Sequence, residues 1–513
     1  MFAAHHAISL ERDVAATVHD VRVIIIGTGF GGIGTAVRLL EDGVTDITLL
    51  ERAEDTGGTW RDNSYPGAAC DIPSHLYSLS FEPKSDWSRQ YAPQPEIRAY
   101  LDEIVERHDL RTRTTFGFDV RECRWDDAEA AWTLTSQSGE QVVGDVLINA
   151  IGGLKDAARP NVPGLESFTG PMFHSAEWNH DVDLFGKRIG VIGTGASAIQ
   201  FIPELAEVAS ELTVFQRTPP WIVPRGDRAY RWYEHAILEH VPGARLAHRA
   251  ALWLEHEAGF VAFAGDGPAQ KIAERYAARH LRSQVHDPEL RKKLMPSYQF
   301  GCKRVLRSDD YYPALTRPNV KLETGSIACV TPTGVTLADG TELVLDAIVL
   351  GTGFKVSDPL NGMVVRGTGG VDLDDFWDER PSAHLGITVP GFPNHFMLLG
   401  PNSALGHNSV VLQIESQIQY VRQAVAQLRT NDVVSIDVTT EAHDKFVRTV
   451  DGKNKGNAWS SGCSSWYLND RGENFSVWPG TTAAYRFATR RFDPTKHHVR
   501  SRTELPTPTE AVT

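Results

Sequence analysis

The sequence predicts an α/β fold: two Rossmann-like dinucleotide-binding domains of one kind, with a helical insertion in the second. Three observations carry that expectation. A β-branched run from Val21 to Ile26 leads through glycines into a helix-like stretch, Ile33 to Glu41, and then into an apolar run ending at Leu50 and Glu51. The same order recurs at Arg188 to Ile192, Gly193 and Gly195, a helical stretch to Val208, and Leu212 to Phe215. Between about 228 and 295, Ala, Arg, Glu and Leu dominate, and Ile272 and Tyr276 stand four apart, as on one helical face.

A buried parallel strand reads as a continuous apolar run, because helices cover both of its faces. Strand, glycine turn, helix and strand make one βαβ unit, and the chain holds two. Val146 to Ala150, followed by Gly152 and Gly153, reads as a further strand of the first unit; the Pro-rich stretch from Arg159 to Pro163 reads as a linker. Asp346 to Leu350, before Gly351-Thr352-Gly353, reads as a buried strand and tight turn. The expected division is 1–155 with 386–513 for the first domain, 156–227 with 296–385 for the second, and 228–295 for the insertion. With 513 residues the chain is too long for a single core. Its last dozen residues, rich in Thr, Pro and Glu, read as a disordered tail.

An apolar fraction of 41% and a charged fraction of 23% are ordinary for a globular protein. The net charge of -14 argues against nucleic-acid binding, which needs a basic face. Five cysteines without a CxxC pair suggest reduced thiols, and neither a disulfide framework nor a metal site. No apolar run is long enough for a signal peptide core or a membrane helix, so the expected compartment is the cytoplasm.

The first fingerprint is Gly27-Thr28-Gly29-Phe30-Gly31-Gly32. Gly27 permits the turn, Gly29 lets backbone N–H groups approach a pyrophosphate, and Gly32 allows close helix–strand packing. Glu51 follows Gly32 by about 19 residues, close to the ~20 at which a carboxylate meets ribose hydroxyls. The second fingerprint is Gly193-Thr194-Gly195-Ala196-Ser197-Ala198. At the matching offset stands Arg217, followed by Thr218, in place of an acid. A guanidinium there can clamp a 2′-phosphate that a carboxylate would repel, so the second nucleotide is expected to be NADP. Two such sites imply a hydride relay from NADPH to a flavin.

The segment Phe168-Thr-Gly170-Pro-Met-Phe-His174-Ser-Ala-Glu-Trp178-Asn179 resembles the type I Baeyer–Villiger monooxygenase signature FxGxxxHxxxW(P/D), within the flavin-containing monooxygenase superfamily. Trp178 favours that branch over heteroatom-oxidising relatives, which usually carry Tyr or Phe; Asn179 departs from the expected Pro or Asp. A second stretch, Gly57-Gly58-Thr59-Trp60 through Tyr65-Pro66-Gly67 to Asp71, is similar to the family pattern GGxWxxxxYPGxxxD at every fixed position.

The resemblance implies FAD in the first domain and NADPH in the second, with a ketone and molecular oxygen as co-substrates. It implies that Thr59 and Trp60 lie near the flavin, that Asp71 holds an arginine beside it, and that the Tyr77 backbone meets the isoalloxazine. Lys303 falls to the 2′-phosphate, Arg304 to the active site, and Trp466 to the nicotinamide side. Phe168, Gly170, His174 and Trp178 fall to the domain junction, where His174 transmits domain motion and is no acid–base catalyst. The implied reaction inserts one oxygen beside a ketone carbonyl through a flavin C4a-peroxide stabilised by Arg304, giving an ester or lactone. Two alternatives remain: a sulfide or amine oxygenase, and an NADPH-dependent flavin reductase, oxidase or redox sensor without productive oxygenation. Substrate and oligomeric state are not legible in the sequence.

Overall fold

The computed structural model describes residues 19–504 apart from 266, 357, 379, 431, 464 and 470. Two five-stranded parallel sheets organise the chain. In the first, the strands His395–Met397, Val146–Asn149, Val23–Ile26, Ile47–Leu50 and Thr114–Thr115 lie side by side in that order. In the second the order is Val320–Glu323, Glu211–Phe215, Arg188–Ile192, Ala347–Leu350, Met172–His174. Each β-branched run foreseen as a buried strand is one: Ile25 lies between Leu49 and Ile148, and Val191 between Val214 and Val349, in matched registers. Helix Phe30–Glu41 covers the first sheet and helix Ala198–Val208 the second.

The insertion is helical throughout its four long elements, Trp232–His240, Ala244–Ala258, Pro268–Gln284 and Pro288–Leu294. It does not sit on one domain. Leu281, Val285 and Leu294 join the second core, whereas Arg249 Nη1 donates to the His75 carbonyl at 2.6 Å and the Ser78 carbonyl at 2.9 Å in the first domain. The Ile272–Tyr276 pair is not the buried face of its helix. Those side chains are 64% and 54% exposed, and Gln270, Ala277 and Leu281 face inward. The inward face mixes polar Gln270 and His280 with Ala277, Ala278 and Leu281, so spacing alone could not distinguish the two stripes.

One expected boundary shifts. Val364–Arg366, foreseen in the second domain, pairs with Val120–Asp126 of the first. Leu360, Met363, Val365 and Leu373 pack with Cys123 and Trp132. The return crossing therefore lies near Phe354, where Ala157 bridges Phe354 and the Ala158 N–H donates to Gly353 at 2.8 Å. Both crossings run side by side, joined by that bridge.

The expectation of five reduced thiols is corrected as well. Cys302 and Cys463 are joined by a disulfide across 161 residues of sequence, with Cα atoms 6.2 Å apart. Cys70, Cys123 and Cys329 are free. Among the described residues no helix is long and apolar enough to cross a membrane, and no cluster of His, Cys, Asp and Glu could hold a metal ion. The foreseen C-terminal tail lies mostly outside the described residues; its first part, Arg502–Glu504, is a 3₁₀ turn.

Candidate active site

The first glycine turn is shaped by close approach. A Cβ on Gly32 would lie 1.8 Å from the Gly27 carbonyl oxygen, so only glycine lets the helix begin against the strand. Gly29 faces Gly58, and the Gly57 N–H donates to the Thr28 carbonyl at 2.9 Å. The GGTW stretch thus lines the fingerprint, with Thr59 and Trp60 opening a one-turn helix beside it. Glu51, buried, accepts from the Thr28 N–H at 3.2 Å, the Thr28 hydroxyl at 2.5 Å and the Ala53 N–H at 3.0 Å, and pairs with Arg61 at 3.0 Å. Those four contacts use the carboxylate's roughly four acceptor directions. For Glu51 to accept a ribose hydroxyl, the Thr28 hydroxyl must rotate away.

Trp60 Nε1 donates to the Tyr77 hydroxyl at 3.3 Å, and Phe30 packs edge-on to Tyr77 at 5.1 Å between ring centroids. Phe30, Trp60 and Tyr77 make an aromatic wall at the N-terminus of helix Phe30–Glu41. Burial pushes the Tyr77 phenol well above its usual range, with nearby Cys70 and Asp71 adding and Arg304 opposing. Tyr77 stays a neutral hydroxyl.

Asp71 and Arg304 meet in front of that wall. Arg304 Nη2 donates to Asp71 Oδ2 at 2.6 Å, and both side chains are half-buried. Burial alone would raise the Asp71 carboxyl, but the charge and hydrogen bond of Arg304, helped by Arg307, hold it below the usual carboxylate range. Asp71 in turn drives Arg304 upward against its own desolvation. Both groups stay charged.

Three residues near the pair went unnoticed in the sequence. Tyr467, next to Trp466, is buried; burial raises its phenol to about 12 while Arg304 pulls the other way. Arg307 carries a second cation toward Asp71. Arg225 Nη2 donates to the Cys70 carbonyl at 3.0 Å, immediately before Asp71. Only the short separation of Arg307 from Arg304, and of Tyr467 from Trp466, could have signalled them. Trp466 itself is partly exposed, its ring 4.3 Å from that of Tyr467.

The second glycine turn follows the same physics. Gly193 has φ +107°, and a Cβ there would meet the Gly351 carbonyl oxygen at 2.4 Å. Thr194 is buried with its hydroxyl toward the Thr218 carbonyl, Gly195 is open, Ser197 precedes the helix, and Ala198 packs under Gly351. Arg217 is exposed at the end of strand Glu211–Phe215. Folding brings Lys303 toward it: burial lowers the Lys303 ammonium, and the like charge of Arg217 lowers it further. Among the described residues neither cation is seen in an ion pair, so two like charges stand together here.

The two domains touch through the YPG turn. Gly67 has φ +75°, and a Cβ there would lie 2.7 Å from the Gln200 carbonyl oxygen. The Gln200 side chain accepts from the Tyr65 hydroxyl at 2.9 Å and donates to the Ala69 carbonyl at 2.9 Å. Gln200, also unforeseen, thus binds the helix of the second fingerprint to the segment leading to Asp71.

The FxGxxxHxxxW segment reaches the return crossing between the domains. A Cβ on Gly170 would clash with the Asp346 carbonyl oxygen at 2.7 Å, and Phe168 packs against the sheet edge. His174 ends the strand paired with Leu350; its Nδ1 accepts from the Ala176 N–H at 3.1 Å, and its ring meets Phe354 of the return crossing at 5.9 Å. Burial lowers its pKa, so the ring is neutral. Trp178 packs between Phe173 and Phe201 in the second core.

Residues 20–241 match the family of flavin-binding monooxygenase-like proteins. The chain is 42% identical over 495 residues to a Baeyer–Villiger monooxygenase of Pseudomonas aeruginosa, covering 96% of this chain and 94% of that one. It is 44% identical over 485 residues to one of Streptomyces coelicolor, covering 94% and 93%. Among solved structures, closed cyclohexanone monooxygenase aligns with TM-score 0.84 at 32% identity, and oxidized steroid monooxygenase bound to NADP with 0.84 at 30%; each alignment covers 94% of this chain and all of the other. By these near-full-length identities, the chain belongs to the Baeyer–Villiger type of flavin-dependent, NADPH-consuming monooxygenases.

Proposed function

We propose that this chain oxidises a ketone to an ester or lactone, taking one oxygen atom from O2 and electrons from NADPH. The observation that carries the reading is the Arg304–Asp71 pair, a buried-side cation held at the meeting point of the two nucleotide units beside the Trp60–Tyr77 wall.

The residues suit the two nucleotides. Gly32 lets the helix begin against the strand, Gly29 leaves room at the turn for a pyrophosphate, and the helix N-terminus behind it favours negative charge. Gly193, Gly195 and Ser197 do the same for NADP, with Thr218 beside the turn, while Arg217 and Lys303 supply two charges for its 2′-phosphate. FAD held by the first turn would supply the redox and oxygen chemistry. The protein's own part is electrostatic and geometric. Arg304 presents a fixed fork of donors that stays charged at any working pH, suited to negative charge that develops on oxygen. Asp71 orients that fork and keeps the cation compensated. Trp60 and Tyr77 exclude water from one side, and Trp466 closes the nicotinamide side. The hinge at His174 and Phe354 lets the two domains adjust as each nucleotide is used. The cytoplasm, where NADPH is supplied, is the compartment this role fits.

The test is a panel of cyclic, linear and aryl ketones with sulfides as controls, assayed by product identity. Esters or lactones from ketones support the reading. Sulfoxides without esters favour a heteroatom oxygenase, and hydrogen peroxide equal to NADPH consumed with every compound favours an oxidase or redox sensor.

A further inference from the structure

The Cys302–Cys463 bridge is placed where a covalent change reaches the active site. Cys302 immediately precedes Lys303 and Arg304, and Cys463 lies three residues before Trp466 and four before Tyr467. The bridge therefore ties the segment carrying Arg304 to the segment carrying Tyr467, whose phenol lies close enough to act on the Arg304 charge. Those segments belong to different parts of the chain, and the bond joins them beside the packing of Tyr467, Trp459, Phe300 and Phe263.

We propose that Cys302–Cys463 is a redox modification site: the disulfide clamps the Trp466 segment over the Lys303–Arg304 segment and retains the coenzyme, and the dithiol releases it. The inference rests on the assignment of Lys303 and Arg304 to the coenzyme site. Cys302 is 1% exposed and Cys463 only half-buried, so an incoming thiolate reaches Cys463. A dithiol reductant attacks the Cys463 sulfur, forming a mixed disulfide and expelling Cys302 as thiolate. Adjacent cations favour that leaving group. The reductant's second thiolate then displaces Cys463, so the protein gains two electrons and two protons and the reductant becomes a disulfide. Closure is the reverse in electrons: the two thiols pass two electrons and two protons to hydrogen peroxide, which leaves as two waters. Hydrogen peroxide is the product of uncoupled turnover, so leakage at the site would restore the clamp that limits it. In a reducing compartment, disulfides are mostly transient and redox-sensing, which suits a bridge beside a flavin site better than a permanent staple does.

The test uses the full-length, FAD-loaded protein. Alkylation under denaturing conditions followed by mass spectrometry should count three thiols in protein isolated in air (Cys70, Cys123 and Cys329) and five after millimolar dithiothreitol is applied to the native enzyme. Five before reduction, or three after it, overturns the proposal. NADP+ affinity by equilibrium dialysis should fall several-fold on reduction, and limited proteolysis should open the chain between 455 and 475. Cys463→Ser and Cys463→Ala should match the reduced wild type and respond no further to dithiothreitol. Unchanged NADP+ affinity in reduced wild type and in both variants also overturns it. None of these readouts depends on ketone oxidation, so failure of the functional reading and failure of the switch are separable.

Discussion

Arg304 Nη2 lies 2.6 Å from Asp71 Oδ2, although 233 residues separate the two and each rises from a different dinucleotide unit. The ion pair therefore depends on the contact between the two domains, and so does the role proposed for Arg304. Arg304→Ala should still bind FAD and accept hydride from NADPH, since neither glycine turn is touched. Ester formation should fall by about 10²–10³, the usual cost of losing one preorganised stabiliser of developing negative charge, with hydrogen peroxide in its place. Arg304→Lys should rescue little, because a point charge on a flexible stem does not reproduce the fork. Near-normal ester yield from Arg304→Ala would remove the residue from the reaction.

Asp71 should set a pH dependence of stability with a definite sign. Its folded carboxyl titrates below the usual range, so its stabilising contribution is complete above the unfolded value of about 4 and is lost as pH falls through the folded value. The difference in melting temperature between wild type and Asp71→Asn should be constant above about pH 5 and shrink below about pH 4. A gap that instead closes between pH 6 and 8 would contradict an ionised pair. Oxygenation by Asp71→Ala should drop less than in Arg304→Ala, since the charge remains and only its orientation is lost.

Coenzyme choice should follow the cation corner. Charge-assisted contacts contribute about 1.5–3 kcal/mol each, so Arg217→Ala and Lys303→Ala should each raise the apparent KM for NADPH about tenfold or more and barely change that for NADH. Equal losses with both coenzymes would make these residues structural.

Flavin retention should depend on the first glycine turn. The wild type should be yellow, with about one non-covalent FAD per chain. Gly32→Ala, which places a methyl 1.8 Å from the Gly27 carbonyl oxygen, should give colourless or unfolded protein. A folded Gly32→Ala that takes up FAD normally, read by absorbance and circular dichroism, would show that the helix can slide to make room.

Much of this protein is determined by sequence alone because it is local. The glycine turns, the buried β-branched strands and the acid-or-arginine choice after each second strand depend on φ, ψ and contacts within about 30 residues, as in any βαβ unit. The Asp71–Arg304 pair came through the resemblance, whose motifs were dense enough to name both partners. Tertiary structure alone decided the rest. Cys302 found Cys463 across 161 residues, Lys303 came to Arg217 within the second domain, and Gln200 reached Tyr65 where the two domains pack against each other. Helix Pro268–Gln284 buried Gln270, Ala277, Ala278, His280 and Leu281 and exposed Ile272 and Tyr276, because the elements packed against it, and not its own apolar spacing, chose the face. Val364–Arg366 crossed back to pair with Val120–Asp126 because an unpaired strand edge was available there. Spacing along a chain encodes which residues can share a turn or a face; which distant surfaces meet is settled by packing, where every domain contributes at once.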